Sequence, residues 1–191
     1  MEAFGRNYEA AYVTDDTALE WIKINPDIYT FLVDRASGKA VGYINAIPVD
    51  DALYTAIRRG SVADNEIAAS GIVAYEREQE IKVYLMSIAV SEQHRQWGQG
   101  LWGQGYVRLI GGFLDKLVDY GKHCSIRVTH LLATAWTEQG LRMCKSLGMS
   151  QVGSDRFGDA IYEVELAKIP PDRKGLLPAL RRLMSVYRLK T

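Results

Sequence analysis

The sequence predicts an α/β protein, a mixed central sheet flanked by helices with one extra helix at its C-terminal end. Three observations carry that prediction. The run from Ile81 to Val90 is apolar on both alternating sets, which marks a central strand covered on both faces. A long helical stretch follows, from 99 to about 120, and then a second buried run from Ile126 to Ala133. That spacing suits a parallel crossover. Strands and helices also alternate along the chain rather than segregating into blocks.

Thr14 is placed to cap a first helix from about Asp15 to Ile24, ended by Pro26. The β-rich runs Ile28–Val33 and Ala40–Ile44 flank the turn Arg35-Ala36-Ser37-Gly38 and read as a hairpin, with Pro48 stopping the second strand. Asp50 to Arg59 reads as a short helix closed by Gly60. Residues 61–79 are polar, rich in Ala and Glu, and read as a variable loop. After the central strand come a loop over 91–98 and the long helix, with Gly121 as its expected C-cap. The glycines inside that helix, Gly111 and Gly112, suggest a close approach to the sheet. Thr137 caps a helix whose Leu141, Cys144 and Leu147 share one stripe and which Gly148 ends. A closing hairpin spans Gln151–Val152 and Ala160–Leu166. A last amphipathic helix runs from about Gly175 to Leu189. The division expected is one domain over 1–169 and a helical extension over 170–191. The extension's apolar stripe is expected to pack on its own domain or on a second copy of the chain.

At 191 residues the chain can bury a core without staples, since domains of this size hide roughly 70% of their unfolded-state surface. Lys+Arg and Asp+Glu both total 23, a formal net charge of +0, so no global field is available to hold nucleic acid or an anionic membrane. No stretch approaches the roughly 20 apolar residues of a membrane span, and the first residues lack a signal peptide's basic head and apolar run. Cys124 and Cys144 make neither a disulfide framework nor a metal knuckle. The expectation is a cytoplasmic protein without a metal site, bound to neither membrane nor nucleic acid.

The chemistry points to Gly98-Gln99-Gly100-Leu101-Trp102-Gly103, between a buried strand and a helix. Backbone amides at a helix start carry partial positive charge and suit a phosphate, and glycine lets the anion approach. A surface turn with packing glycines is the alternative. The glycines fit G-x-G-x-x-G, but Ser91 to Trp97 intervene after the strand, and no acidic residue occurs in Leu132-Ala133-Thr134-Ala135 to hold a ribose. The dinucleotide reading therefore fails, and so does a Walker loop, since no Gly-Lys-Ser/Thr follows.

The segment Val90-Ser91-Glu92-Gln93-His94-Arg95-Gln96-Trp97-Gly98-Gln99-Gly100 instead resembles the acyl-CoA loop of the GCN5-related N-acetyltransferase (GNAT) family, Arg/Gln-x-x-Gly-x-Gly/Ala. Arg95, Gly98 and Gly100 stand at its fixed positions, and Glu92 replaces a common proline. Thr137-Glu138-Gln139-Gly140-Leu141-Arg142-Met143-Cys144-Lys145-Ser146-Leu147-Gly148-Met149 resembles the family's later helix, Asn-x-x-Ala-x-x-x-Tyr-x-x-x-Gly-Phe. Thr137, Gly140, Cys144 and Met149 replace Asn, Ala, Tyr and Phe. The resemblance covers about residues 8–168.

What the resemblance implies is a GNAT-like sheet, splayed where the strand Ile81–Val90 leaves the strand Ile126–Ala133. It also implies an N-acetyltransferase moving acetyl from acetyl-CoA to a primary amine by direct attack in a ternary complex. The backbone of Ile88, Ala89 and Val90 would line the pantetheine arm, and Thr137 is carried over as a cofactor contact. The pyrophosphate would rest on Gln96, Trp97, Gly98, Gln99, Gly100 and Leu101. Arg95 either adds charge near a phosphate or packs its stem under the loop. Cys144 falls where the family's tyrosine protonates the departing thiolate, and is either that acid or a small buried hydrophobe. For the general base the candidates are Glu80, His130 and Tyr84, the last standing where some relatives carry a glutamate. Asp50, Asp51, Asp64 and Glu66 offer a cationic amine negative charge. A binding module that kept the cofactor loop and lost the chemistry, and an oligomerising scaffold built on the terminal helix, are the competing classes.

Overall fold

Thr14 Oγ1 accepts the Thr17 amide at 3.3 Å and opens α1 (Asp15–Ile24). The computed structural model describes residues 13–95, 104–170 and 172–188. β1 (Tyr29–Val33) and β2 (Ala40–Val49) form the expected hairpin, its turn held by the Asp34 carboxylate, which accepts the Ala36 and Ser37 amides. Asp50 caps α2 (Asp51–Arg58) by accepting the Leu53 amide at 2.7 Å. Then follow β3 (Glu80–Val90), α3 (Glu92–Arg95), α4 (Gln104–His123), β4 (Arg127–Ala135), α5 (Glu138–Ser146), β5 (Ser150–Ser154), β6 (Ala160–Glu165) and α6 (Pro178–Arg188).

The six strands form one mixed sheet in the order β1-β2-β3-β4-β6-β5. Only β3 and β4 pair in parallel, across the α4 crossover that the sequence predicts. Each face carries its own core. On one face Val83, Leu85 and Leu131 meet Phe113 and Leu117 of α4, Leu147 behind α5, and Leu180 and Leu183 of α6. The other gathers Ile47, Tyr84, Leu132 and Ile161 under Trp21 of α1 and Tyr54 and Ile57 of α2.

Several expectations need correcting. Pro48 does not stop β2 but sits inside it, in register with Val83. Beyond Asn45, where β1 no longer pairs with β2, the Pro48 carbonyl accepts the Val73 amide at 2.9 Å, and Asn25 Nδ2 donates to the Val73 carbonyl at 2.9 Å, so the missing Pro48 N–H leaves that carbonyl satisfied. Residues 61–79 are not a solvated loop. Two 3₁₀ turns bury Ile67 and Ile72 on the second core, and the Trp21 indole N–H donates to the Ile67 carbonyl at 3.2 Å. The start of the 91–98 segment is helical, as α3. α4 runs through Gly121 to His123, and Ser125 takes the left-handed conformation (φ 57°) expected of the glycine. Apart from the helix's own neighbouring backbone, no atom lies within 4 Å of where a Cβ would sit on Gly111 or Gly112, so close packing against the sheet does not explain them. Gly60 is a glycine that both packing and conformation demand. Its φ is 69°, and a Cβ there would lie 2.5 Å from the Ser154 carbonyl oxygen. α6 packs on α4 and shares its core, with Arg182 forking the Asp115 carboxylate at 2.7 and 3.0 Å.

Candidate active site

β3 and β4 run together for only part of their lengths. Their ladder extends from Glu80↔Arg127 to Leu85↔Ala133 and ends there. Beyond it β3 continues to Val90 in register with β2, while β4 continues to Ala135 in register with β6. The central sheet therefore opens as a wedge between two strands that each remain held on their outer side. A bulge lies at its apex: Asn45 pairs with Ser87 and Ala46 with Leu85, which leaves Met86 as the extra residue of β3. Such a bulge bends and twists its strand, here at the point where β3 leaves β4.

Ile88, Ala89 and Val90 lie on the diverging length of β3, opposite Ile44, Tyr43 and Gly42 of β2. Met86 to Ala89 have no register partner on β4, so their main-chain groups on that side are not used by the ladder. Gln96, Trp97, Gly98, Gln99, Gly100 and Leu101 lie outside the described residues, as does the Arg95 side chain. Thr137 sits just past β4. Its Oγ1 accepts the Gly140 amide at 3.0 Å and caps α5.

Polar groups collect beside the apex on the face covered by α1 and α2. Tyr84, 2% exposed, donates its hydroxyl hydrogen to Asp64 Oδ1 at 2.8 Å, and Thr134 Oγ1 lies 3.2 Å from the Tyr84 hydroxyl oxygen. A phenol has one hydrogen to give. With that hydrogen on the carboxylate, Thr134 is the donor in the second contact. Thr134 is also the first β4 residue beyond the last rung of the parallel ladder. Burial pushes the Asp64 carboxyl up to about 6, helped by the charge of Asp155 and opposed by the Tyr84 hydrogen bond. The phenol is itself raised well above its ordinary value, by burial first and then by the Asp64 charge.

The other acids suggested by the sequence are spent elsewhere. Asp50 caps α2, Asp51 pairs with Lys82 at 2.6 Å, and Glu66 pairs with Arg156 at 2.8 Å. Glu80 pairs with Arg127, on the first rung of the ladder and far from the wedge. His130, opposite Lys82, stands edge-on to the Tyr54 ring at 5.6 Å with Glu165 at 3.8 Å, and burial holds its pKa down. Tyr54 and Arg58 both donate to Glu163 in the same network, which ties α2 to β6. Neither Glu80 nor His130 reaches the apex.

Cys144 is completely buried on the α4 side of the sheet, and burial pushes its thiol up to about 12. A group that holds its proton so firmly is a poor acid at neutral pH. Across β1 and β2 an aromatic group lines the Tyr84 face: Phe31 stacks on Tyr29 at 5.9 Å and 14°, and Tyr43 meets Tyr29 edge-on at 5.9 Å. Asn45, 0% exposed between Tyr29 and Ser87 in the register, makes no hydrogen bond of normal length through either side-chain atom, although its amide is near enough to restrain the Tyr29 phenol.

Sequence reasoning gave Asp64 as one of four acids that offer an amine negative charge, without separating it from the others or pairing it with Tyr84. The signal that distinguishes it is the isolated pair Ile67 and Ile72, which draws its segment down onto the sheet. Among the described residues no group of His, Cys, Asp and Glu could hold a metal, and no helix is long and apolar enough to cross a membrane.

No protein-family model matches the sequence, and no curated protein matches it either. Solved structures are similar to it only weakly. The C-terminal condensation domain of Ebony, in complex with beta-alanyl-dopamine, is 9% identical with a TM-score of 0.45, covering 79% of this chain and 77% of that one. The KacTA–DNA complex includes a chain 14% identical with a TM-score of 0.42, covering 100% and 94%. A cAMP-binding acyltransferase from Mycobacterium smegmatis is 15% identical with a TM-score of 0.29, covering 95% and 63%.

Proposed function

We propose that this protein is an acyl-CoA-dependent N-acyltransferase that moves an acyl group, acetyl in the first instance, onto a primary amine. The observation that carries the reading is the end of the β3–β4 ladder at Leu85↔Ala133. Strand main chain released from a ladder is the natural partner for an extended arm bearing amides, which binds as an added strand does. Pantetheine is such an arm, and Met86 to Val90 is the length of β3 it would follow. An N–H on that length would polarise the thioester carbonyl. The glycine loop resembling the GNAT motif, from Arg95 to Leu101, would hold the pyrophosphate at the entrance to α4.

The acceptor would approach over the face of Tyr84. Asp64 and Asp155 give an ammonium a favourable field there, and Tyr29, Phe31 and Tyr43 offer aromatic surface beside it. The co-substrate supplies an activated acyl carbon. The chain's part is to align the amine, remove its proton and keep the thioester polarised. Neither Cys144 nor another acid is required for the departing thiolate, which can take the nitrogen's second proton as the carbon–sulfur bond breaks.

The buried, firmly protonated Cys144 at the position of the family's tyrosine favours one second reading, a module that binds acyl-CoA without turnover. Thiol release from acetyl-CoA with a panel of amines separates the two. The proposed function predicts release that saturates with at least one amine, whereas tight binding with no release supports the module.

A further inference from the structure

We infer that Thr134, Tyr84 and Asp64 form a directional proton relay, in which Thr134 takes the proton from the acceptor ammonium and Asp64 is its terminus. The inference rests on the proposed function and names the base which that reading leaves open. Its warrant is the polarity of the two hydrogen bonds. Tyr84 gives its hydrogen to Asp64 Oδ1, so the Thr134 hydroxyl points its own hydrogen at Tyr84. This leaves the Thr134 oxygen free to accept, at the apex of the wedge and on the face the amine would cross. Each hydroxyl is thus already oriented to pass a proton toward the carboxylate.

The balance closes. An ammonium N–H bond breaks and a Thr134 O–H bond forms. The former Thr134 hydrogen passes to Tyr84, and the former Tyr84 hydrogen to Asp64. What remains is a neutral amine, two unchanged hydroxyls and a carboxylic acid. The amine then forms its bond to the acyl carbon, the carbon–sulfur bond breaks, and the thiolate takes the second nitrogen proton. Asp64 returns its proton to solvent after turnover. Thr134 is the catalytic residue in this scheme, while Tyr84 and Asp64 act through it.

The surroundings of Asp64 set the operating pH. Tyr84 faces it from β3, Thr134 stands behind Tyr84 on β4, and Asp155 faces it from the β5–β6 turn. Glu66 on its own 3₁₀ turn is paired with Arg156 and so is largely neutralised. α1 contributes the uncharged Trp21 indole N–H. Burial and Asp155 hold the carboxyl near 6, high enough to receive a proton and low enough to be ionised before turnover at neutral pH.

The test compares wild type with Thr134→Val, Thr134→Ser, Tyr84→Phe and Asp64→Asn, by thiol release across pH 5–9. The expected result is a 10²–10³-fold loss of kcat in Thr134→Val and Asp64→Asn, with Thr134→Ser within a few-fold of wild type. The acid limb of the wild-type profile, near pH 6, disappears in Asp64→Asn. Carboxyl NMR of the free protein adds a readout independent of turnover: Asp64 titrates near 6 and moves upward in Tyr84→Phe, which removes the bond that favours its charge. Wild-type kcat and pH profile in folded Thr134→Val or Tyr84→Phe overturn the relay. An ordinary Asp64 titration below 5 overturns it too. A wild-type chain that releases no thiol with any amine overturns the proposed function and the relay together, and only that failure silences the wild type.

Discussion

Replacing Asp64 by Asn should make the protein more stable at neutral pH and less stable by comparison nowhere. The carboxyl is lifted from 3.8 to about 6 in the folded state. Between those values the folded chain binds a proton that the unfolded chain has released, so stability falls as pH rises through the window. Below about pH 3 both states are protonated and nothing is lost. Above pH 7 the full penalty applies, about 3 kcal/mol at about 1.4 kcal/mol per pH unit. Asn is the size of the protonated acid and can accept the Tyr84 hydrogen bond through Oδ1, so it recovers most of that penalty. For a chain of this length the gain corresponds to about 5–10 °C in Tm. Urea unfolding followed by tryptophan fluorescence at pH 8 and at pH 4.5 measures it. The variant should lead by about 2–3 kcal/mol at the higher pH, with the gap narrowing to about 1 kcal/mol or less at the lower one. Equal or reduced stability at pH 8 would refute the view that desolvation holds the Asp64 carboxyl up.

Two further predictions concern packing. Gly111→Ala and Gly112→Ala should each stabilise the protein by about 1 kcal/mol, because α4 gains helix propensity and nothing outside its own neighbouring backbone lies within 4 Å of the new methyl; Gly60→Ala should cost at least about 2 kcal/mol, since its φ of 69° and the Ser154 carbonyl at 2.5 Å both resist a side chain. Thermal melts of the three variants check the signs. Of the two cysteines, half-buried Cys124 should react with a thiol reagent in the native protein while Cys144 becomes reactive only on unfolding. Two equally fast native thiols would contradict the burial of Cys144.

The central βαβ unit was legible because its signals are local. A continuous apolar run, a long helical stretch and a second apolar run state β3, α4 and β4 without reference to anything else in the chain. Helix caps at Thr14 and Thr137 were legible for the same reason, each bonding an amide three residues on. What stayed hidden depends on partners distant in sequence. Pro48 reads as a strand breaker until the extent of β1 is known. Residues 61–79 carry no periodicity, because two isolated isoleucines in 3₁₀ turns anchor them. The contacts of Tyr84 lie 20 and 50 residues away, with Asp64 and Thr134, and only the register of β3 on β4 brings them together. The wedge itself was foreseen through the resemblance of the glycine loop rather than from the strands, whose own sequences show no reason to part.

Backbone NMR of the chain titrated with coenzyme A bears most directly on the wedge as the seat of the pantetheine arm. Within Met86 to Ala89 the amides that face the wedge should shift and gain protection from exchange, while those bonded to β2 keep theirs and Ile81 to Val83, already bonded in the ladder, stay unchanged. Silence from Met86 to Ala89 at millimolar coenzyme A would contradict the account at its root.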